Sequence, residues 1–515
     1  MSVMKPTVKK LLPIIIISAL GMITVLVATA KYGPGITHDS VAYLYAAKTL
    51  LNGRGLEYFG YGTPFVQWPP LFPSLIAAVG FPGIDMIQAV RWINSMAFGF
   101  IVLFSSLWLL KNVKNYLLVL LGSTATLLSI PLLQVSGYAW SEPVFILFIL
   151  LFLIALHKYF TRNQYKFLII SAVFASMACM TRYLGVIAAF TGVMLLLIQS
   201  GKLRSRLSNI LLFGAISGLP MVVWFLRNYM VFSTITGSRT ASQIPLMYNA
   251  ALAISTLVSW FLPSANIPVI LSVLVIMFIF FIAAVAAVVR RIKHAIVETD
   301  FIKGGLKLLM PNTVMPAFII FYVLYLVIAA SFAAFDPIGD RLLSPVFVPL
   351  VLWVFHMTGR LYDWMEKAAS VKAFRYILAA LIFLWLILPA SAVCRIITGS
   401  VSYGAGGYAS DSWQGSELMQ YVSKIPEDCI IYSNYPDAIY VFTGRSALYT
   451  PKTDTDIYEY SLEKFKESVN RNKRSYIIWF DKNIGNWLYN IEGLGRYFNM
   501  EEVVQVEDGA VYVIK

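Results

Sequence analysis

Before residue 396 the chain carries only ten Asp/Glu, and two of them stand where a reaction could use them. Asp39, in Thr37-His38-Asp39, precedes the helix-like run Ser40–Leu51, and Glu142, in Trp140-Ser141-Glu142-Pro143, opens another helix behind a Ser cap and a first-turn Pro. A first-turn acid complements the helix dipole, so each has a purely structural reading. Each also has the chemistry of a general base that takes a proton from an attacking hydroxyl. Two carboxylates from separate loops could bracket one substrate or share a divalent cation, and His38 is a loop hydrogen-bonder or a ligand. Arg182 in Thr181-Arg182-Tyr183, Arg227 in Arg227-Asn228-Tyr229 and Arg341 in Asp340-Arg341-Leu342 sit at helix junctions. Such arginines snorkel, pair with an acid (Asp336 or Asp340 for Arg341), or grip a phosphate through paired hydrogen bonds. Tyr58, Phe59, Tyr61, Phe65 and Trp68 could stack on a sugar ring or form an interfacial aromatic belt.

These residues must be positioned by membrane helices. Hydrophobic residues make up 59% of the chain, charged residues 13%, and the mean hydropathy is +0.73. A soluble domain carries roughly a quarter charged residues. Apolar runs that approach the roughly 20 residues needed to span a bilayer fall at 11–30, 84–110, 116–133, 142–157, 167–181, 183–200, 208–226, 266–289, 313–334, 344–358 and 376–395. About eleven transmembrane helices are therefore expected, with residues 248–263 as an interfacial or re-entrant helix. Ala28-Thr29-Ala30 has the form of a signal-peptidase site, but the apolar stretch is long for a signal peptide, so an uncleaved first helix is expected. The basic clusters Lys5/Lys9/Lys10, Lys111/Lys114, Lys158/Arg162/Lys166, Lys202/Arg204/Arg206, Arg290/Arg291/Lys293 and Arg360/Lys367/Lys372/Arg375 fall on one side when these spans are threaded. The positive-inside rule makes that side cytoplasmic. The N-terminus is then inside, while the loop 31–83 and residues 399–515 are outside, with the membrane domain occupying 1–398.

Charge divides the same way. Residues 1–395 carry 29 Lys/Arg against 10 Asp/Glu, and residues 396–515 carry 11 against 16. A basic membrane domain suits anionic membrane lipids. The basic residues lie in short loops as topology signals, so nothing argues for nucleic acid. Past a Gly/Ser-rich linker, Trp413–Val422 and Asp437–Phe442 read as helices, and Cys429–Tyr432 and Tyr476–Phe480 as strands. Val503–Val506 and Val511–Ile514 read as a hairpin around Asp508-Gly509, so a small α/β domain is expected. Asp454-Thr455-Asp456 has the spacing by which nucleotide-sugar transferases hold a metal, but a solvated acidic loop is the plainer reading outside the cell. Three cysteines are too few for a disulfide framework; Cys394 and Cys429 could meet, with unpaired thiols expected.

Taken in order, Asp39, Trp68-Pro69-Pro70-Leu71-Phe72-Pro73, Ser141-Glu142-Pro143, Thr181-Arg182-Tyr183-Leu184-Gly185, Trp224-Phe225-Leu226-Arg227-Asn228-Tyr229 and Arg341-Leu342-Leu343-Ser344-Pro345 resemble the GT-C superfamily of membrane glycosyltransferases. The nearest likeness is to protein O-mannosyltransferases and the lipid A aminoarabinose transferase. The resemblance implies a mainly α, polytopic GT-C bundle at the cytoplasmic membrane. It implies transfer of a sugar from a polyprenyl-phosphate donor to a lipid, glycan or protein acceptor on the outer face. By it Asp39 is the base and Glu142 a second acid that orients substrate or ion. Arg341, with Arg182 and Arg227, binds the donor phosphate, and His38, Tyr43, Arg54 and Trp68 contact sugar or acceptor. Many O-mannosyltransferases carry two adjacent acids where this chain has His38-Asp39, which puts protein mannosylation and a metal requirement in question.

The chemistry is coherent without the family. Outside the cell no nucleotide-sugar pool exists, so an activated donor arrives on lipid, and a phosphate leaving group is helped by fixed positive charge. A transporter of lipid-linked saccharides would need a polar path at midplane and related halves, and no internal repeat is visible. A non-catalytic envelope-assembly protein remains the other alternative.

Overall fold

The computed structural model describes residues 8–60, 62–237, 240–262, 301–334, 336–367, 374–453, 461–471, 474–482 and 487–514. The chain divides into two compact units. One comprises residues 1–28, 66–72 and 90–401, the other 29–65, 73–89 and 402–515.

The first unit is helical. Its elements are α1 (Val8–Ala28), most of α4 (Met86–Asn112), α5 (Tyr116–Leu127), α6 (Ile130–Ser136), α7 (Glu142–Arg162), α8 (Tyr165–Thr181), α9 (Val186–Ile198), α10 (Leu203–Phe232) and α11 (Leu246–Ser259), followed by helices Phe301–Phe332, Asp340–Lys367 and Phe374–Tyr403. Seven of these helices are long and apolar enough to cross a membrane, or eight if α5 and α6, bent by 43°, form one broken span. The chain is a multi-pass membrane protein. The expected span 266–289 lies outside the described residues. The expected spans at 167–181 and 183–200 are helices, but of 17 and 13 residues. At 1.5 Å per residue these reach about 26 and 20 Å, short of a 30 Å hydrocarbon core. The expected re-entrant segment 248–263 is largely the helix α11.

Local sequence sets the junctions. Asn115 and Ser129 accept the Leu118 and Leu132 amides at the starts of α5 and α6. Pro143 in the first turn suits the start of α7, and Asn163, left-handed at φ 51°, ends it. A 3-10 turn, Tyr183–Gly185, breaks α8 from α9. A Cβ on Gly185 would lie 2.3 Å from the Cys179 backbone nitrogen, so only glycine lets this turn fold against the end of α8. Helix α7 packs on α8, α8 on α10, and Phe301–Phe332 on α7, α9 and Asp340–Lys367.

The second unit holds a five-stranded sheet of β1 (Ile430–Ser433), β2 (Leu448–Tyr449), β3 (Ser475–Phe480), β4 (Met500–Val506) and β5 (Gly509–Ile514), in the order β2-β1-β3-β5-β4. β1 is parallel to β2 and β3, while β5 is antiparallel to β3 and β4. Trp413, Leu418, Ile431, Ile478 and Phe480 form one core cluster, and Tyr432, Phe465, Ile477 and Leu494 another, as period-2 alternation requires. The same unit includes α2 (His38–Leu51), nine of whose fourteen residues are buried. Ile36 pairs with Gly407 in a parallel bridge, Tyr408 N donates to Ile36 O at 2.9 Å, and Lys31 Nζ meets Asp411 at 2.6 Å. Tyr45, Phe59 and Tyr440 stack edge to face or tilted, with centroids 5.0 to 5.6 Å apart.

Candidate active site

In the helical unit three of the expected site residues converge. Glu142 Oε1 accepts from Arg182 Nη1 at 2.7 Å and from Arg341 Nε at 2.6 Å. The carboxylate is 1% exposed, and the guanidinium side chains 13% and 19%. Two cations on one buried oxygen are charge-assisted contacts of the strong kind, and the trio keeps a net positive charge. Arg341 Nη1 also reaches Asp336 at 3.1 Å, but Asp336 is 68% exposed and screened by solvent. The Arg341 guanidinium carbon lies 4.0 Å from the Trp140 ring centroid, and Trp140 stacks on Tyr138 at 4.2 Å. Asn94 fixes that segment by donating to the carbonyls of Tyr138 and Trp140 at 2.8 and 3.1 Å. Arg182 Nη1 also donates to Ser141 Oγ at 3.1 Å. Of the two acids expected for Arg341, Asp336 serves it; Asp340 instead accepts from Trp260 Nε1 at 2.6 Å. Among the described residues, Glu142 Oε2 is buried without a hydrogen-bond partner.

A second node joins three segments of the chain through one hydroxyl. Tyr183 Oη donates to Val66 O at 2.7 Å and accepts from Trp224 Nε1 and Asn228 Nδ2, both at 3.2 Å. Arg227 lies beside it, donating to Asn228 Oδ1 at 3.1 Å with its guanidinium 4.7 Å from the Trp224 ring. Arg91 Nη2, from α4, donates to Leu26 O at 2.9 Å and so satisfies a carbonyl at the end of α1.

In the sheet-bearing unit His38 is the centre of a different cluster. Its Nδ1 is 2.7 Å from Asp437 Oδ2 and its Nε2 2.6 Å from Tyr58 Oη. A carboxylate only accepts, so Nδ1 carries the proton. Tyr449 Oη donates to the same Asp437 oxygen at 2.9 Å. Burial disfavours the charged ring, but the Asp437 carboxylate, helped by Asp39, outweighs it and raises the His38 pKa above the ordinary imidazole value. Burial, and then Asp437, push the Tyr449 phenol well above its usual range, so it stays a donor. His38, Tyr58, Gly60 and Tyr449 are among the residues lining a crevice of about 10 Å³, room for one water. A short hairpin, with Glu57 bridging Pro64 and Tyr58 N donating to Thr63 O at 2.7 Å, presents the Tyr58 ring.

The remaining expected residues are distributed as follows. Asp39 is half-buried in the first turn of α2. Tyr43 is fully buried, which leaves its ring no face for an incoming sugar. Arg54 is exposed and meets Glu57 at 3.7 Å, a weak surface pair. Trp68 is half-buried. Both nitrogens of His38 are engaged by protein side chains, Asp437 and Tyr58. Asp437 and Tyr449 were not singled out by sequence, because Tyr435-Pro436-Asp437 reads as an ordinary helix start.

A shared divalent cation finds no fitting donor set. Glu142 Oε1 is already taken by two guanidiniums, and no group of three or more His, Cys, Asp or Glu among the described residues could hold a metal. Asp454 and Asp456 lie outside the described residues. Cys179, Cys394 and Cys429 are free thiols.

No protein-family model and no curated protein sequence matches the chain. Solved structures do. ArnT from Cupriavidus metallidurans in the apo state is similar with a TM-score of 0.60 at 10% identity, covering 97% of both chains. The chain has the GT-C fold of ArnT. The same enzyme bound to undecaprenyl phosphate gives a TM-score of 0.59 at 10% identity, again over 97% of both chains. The Saccharomyces cerevisiae protein O-mannosyltransferase Pmt1-Pmt2 complex bound to the sugar donor gives 0.35 at 17% identity, over 45% of this chain and 35% of that one.

Proposed function

We propose that the protein is an integral-membrane glycosyltransferase that moves a sugar from a polyprenyl-phosphate donor to an acceptor hydroxyl at the outer membrane face. The observation that carries this reading is the ArnT-like fold over 97% of both chains, since one of those ArnT structures holds undecaprenyl phosphate. The arrangement of charge is consistent with it. Glu142 clamps two guanidiniums side by side at 2.6 and 2.7 Å, a preformed positive site for a lipid phosphate.

In the proposed reaction Asp39 takes the proton of the acceptor hydroxyl, whose oxygen forms the new bond to the anomeric carbon. The bond from that carbon to the phosphate oxygen breaks with inversion, and the electron pair leaves on the polyprenyl phosphate. Arg341, Arg182 and Arg227 stabilise that anion, while Glu142 fixes the first two guanidiniums. Trp68 and Arg54 line the sugar or acceptor path.

The test has two arms. Mass analysis of envelope glycans and lipids, with and without the protein, should reveal one missing sugar substituent; an unchanged profile rejects the transferase reading. Asp39→Asn should lower transfer on the order of 10²- to 10⁴-fold, the usual worth of a general base, while the protein still folds and inserts. Near-normal turnover in that variant rejects the base assignment alone.

A further inference from the structure

The sheet domain contributes a carboxylate to the loop that carries Asp39. Asp437 stands in the first turn of helix Pro436–Thr443 and is 1% exposed, yet its Oδ2 reaches across 399 residues of sequence to His38 Nδ1 at 2.7 Å. A buried carboxylate is costly unless it is paired and fully hydrogen-bonded. Among the described residues it is only half satisfied: Tyr449 and His38 share Oδ2, and Oδ1 is buried without a partner. The fold tolerates that cost at a carboxylate bonded to His38, the residue next to Asp39.

The surroundings of His38 make it an anchor. On its N-terminal side Ile36 is bridged to Gly407, and Thr37 N donates to Ser40 Oγ at 3.1 Å. On its C-terminal side α2 is mostly buried. The ring is held at both nitrogens, by Asp437 and by Tyr58. The charged groups acting on it are Asp437 and Asp39, which favour its positive form, and Lys452, which opposes it. We propose that Asp437 is a positioning residue for the transferase: by fixing His38 it holds the adjacent Asp39 in one orientation. This rests on the glycosyltransferase reading given above.

Two measurements on the full-length protein test it, the first of them in nanodiscs. The chain has four histidines, so the His38 ring can be followed by NMR with isotope-labelled histidine and assigned with His38→Gln. In Asp437→Asn its titration midpoint should fall by about one unit or more, the usual effect of losing a neighbouring opposite charge. An unmoved midpoint overturns the proposal. The second measurement is transfer in membrane vesicles from the parent cells, using their own polyprenyl-phosphate sugar pool and mass analysis of the product. Asp437→Asn and His38→Gln should each lower turnover about tenfold or more, and neither should lower it further in the Asp39→Asn background. Unchanged turnover in both single variants, or an equal further loss on top of Asp39→Asn, overturns positioning through Asp39. Because His38→Gln alters a half-exposed side chain, it answers even where Asp437→Asn folds poorly. Full turnover in Asp39→Asn alone would instead remove the base assignment, leaving the NMR result on the His38–Asp437 pair standing.

Discussion

Glu142→Gln is the perturbation whose consequence can be worked most directly from the structure. The substitution is isosteric but leaves Arg182 and Arg341 side by side without the buried carboxylate that neutralises them at 2.7 and 2.6 Å. Removing one partner of a buried ion pair costs about 3–5 kcal/mol, because the other charge stays desolvated and unpaired. Three features pull the value to the low end. Gln retains an acceptor oxygen, Arg341 retains Asp336 at 3.1 Å and the Trp140 ring at 4.0 Å, and Arg182 retains Ser141 Oγ at 3.1 Å. The expected destabilisation is therefore about 3 kcal/mol. Buried Cys179, in the last turn of α8 beside Arg182, supplies the assay: its reaction with a thiol dye, in a Cys394→Ser/Cys429→Ser background, reports opening of this junction during unfolding in mixed micelles. A double cycle with Arg341→Met isolates the pair, and a coupling of about 1–3 kcal/mol is expected for residues in direct contact. A coupling below about 0.5 kcal/mol would refute the claim that Glu142 organises the two cations.

Three further outcomes follow from single contacts. Tyr183→Phe removes the hydroxyl that accepts from Trp224 and Asn228 and donates to Val66 O, and should cost about 1–3 kcal/mol in the same unfolding assay; wild-type stability would show that the three segments do not depend on this node. Gly407 has φ +57°, and a Cβ there would lie 2.0 Å from Ile36 O, so Gly407→Ala should unpair Ile36 and speed limited proteolysis within residues 29–65; unchanged protection contradicts that bridge. Because the folded His38 pKa is raised, its contribution to stability is full below the ordinary imidazole pKa of about 6.5. That contribution is lost as pH rises through the folded value. Thermal unfolding from about pH 5 to 9 should show this decline in wild type and a flatter profile in Asp437→Asn; identical profiles would remove the His38–Asp437 pair as its source.

The helical scaffold was readable because lipid imposes a length rule. Apolar runs of the required size map onto α1, α4, α7, α10 and the helices at 301–332, 340–367 and 374–403. Around Arg182 the two expected runs, 167–181 and 183–200, are two helices parted by a Gly-permitted 3-10 turn, each shorter than the bilayer core is thick. In the sheet, period-2 alternation found β1, β3 and the hairpin at Asp508-Gly509 within one to three residues. It passed over β2, whose two residues are too few to show a period, and the helix Leu462–Arg471, whose apolar positions Leu462, Phe465 and Val469 are diluted by charge.

The site was legible as residue types and illegible as partnerships. Glu142, Arg182 and Arg341 could each be singled out by sequence as a misplaced charge, yet no spacing says that two guanidiniums separated by 159 positions share one oxygen. Asp437 shows the difficulty more sharply. A first-turn acid has the same local signature whether it only complements a helix dipole or holds a distant cation, and Asp340, Glu142 and Asp437 are all first-turn acids. Burial separates them. Asp340 is half-buried and satisfied by the Trp260 indole, whereas Glu142 and Asp437 are 1% exposed, each with one oxygen shared by two side chains and the other without a partner among the described residues. An acid in that state depends on the side chains brought to it by remote segments, so Glu142 and Asp437 are better sites than Asp340 for testing how the tertiary fold, rather than the local helix, holds the chemistry in place.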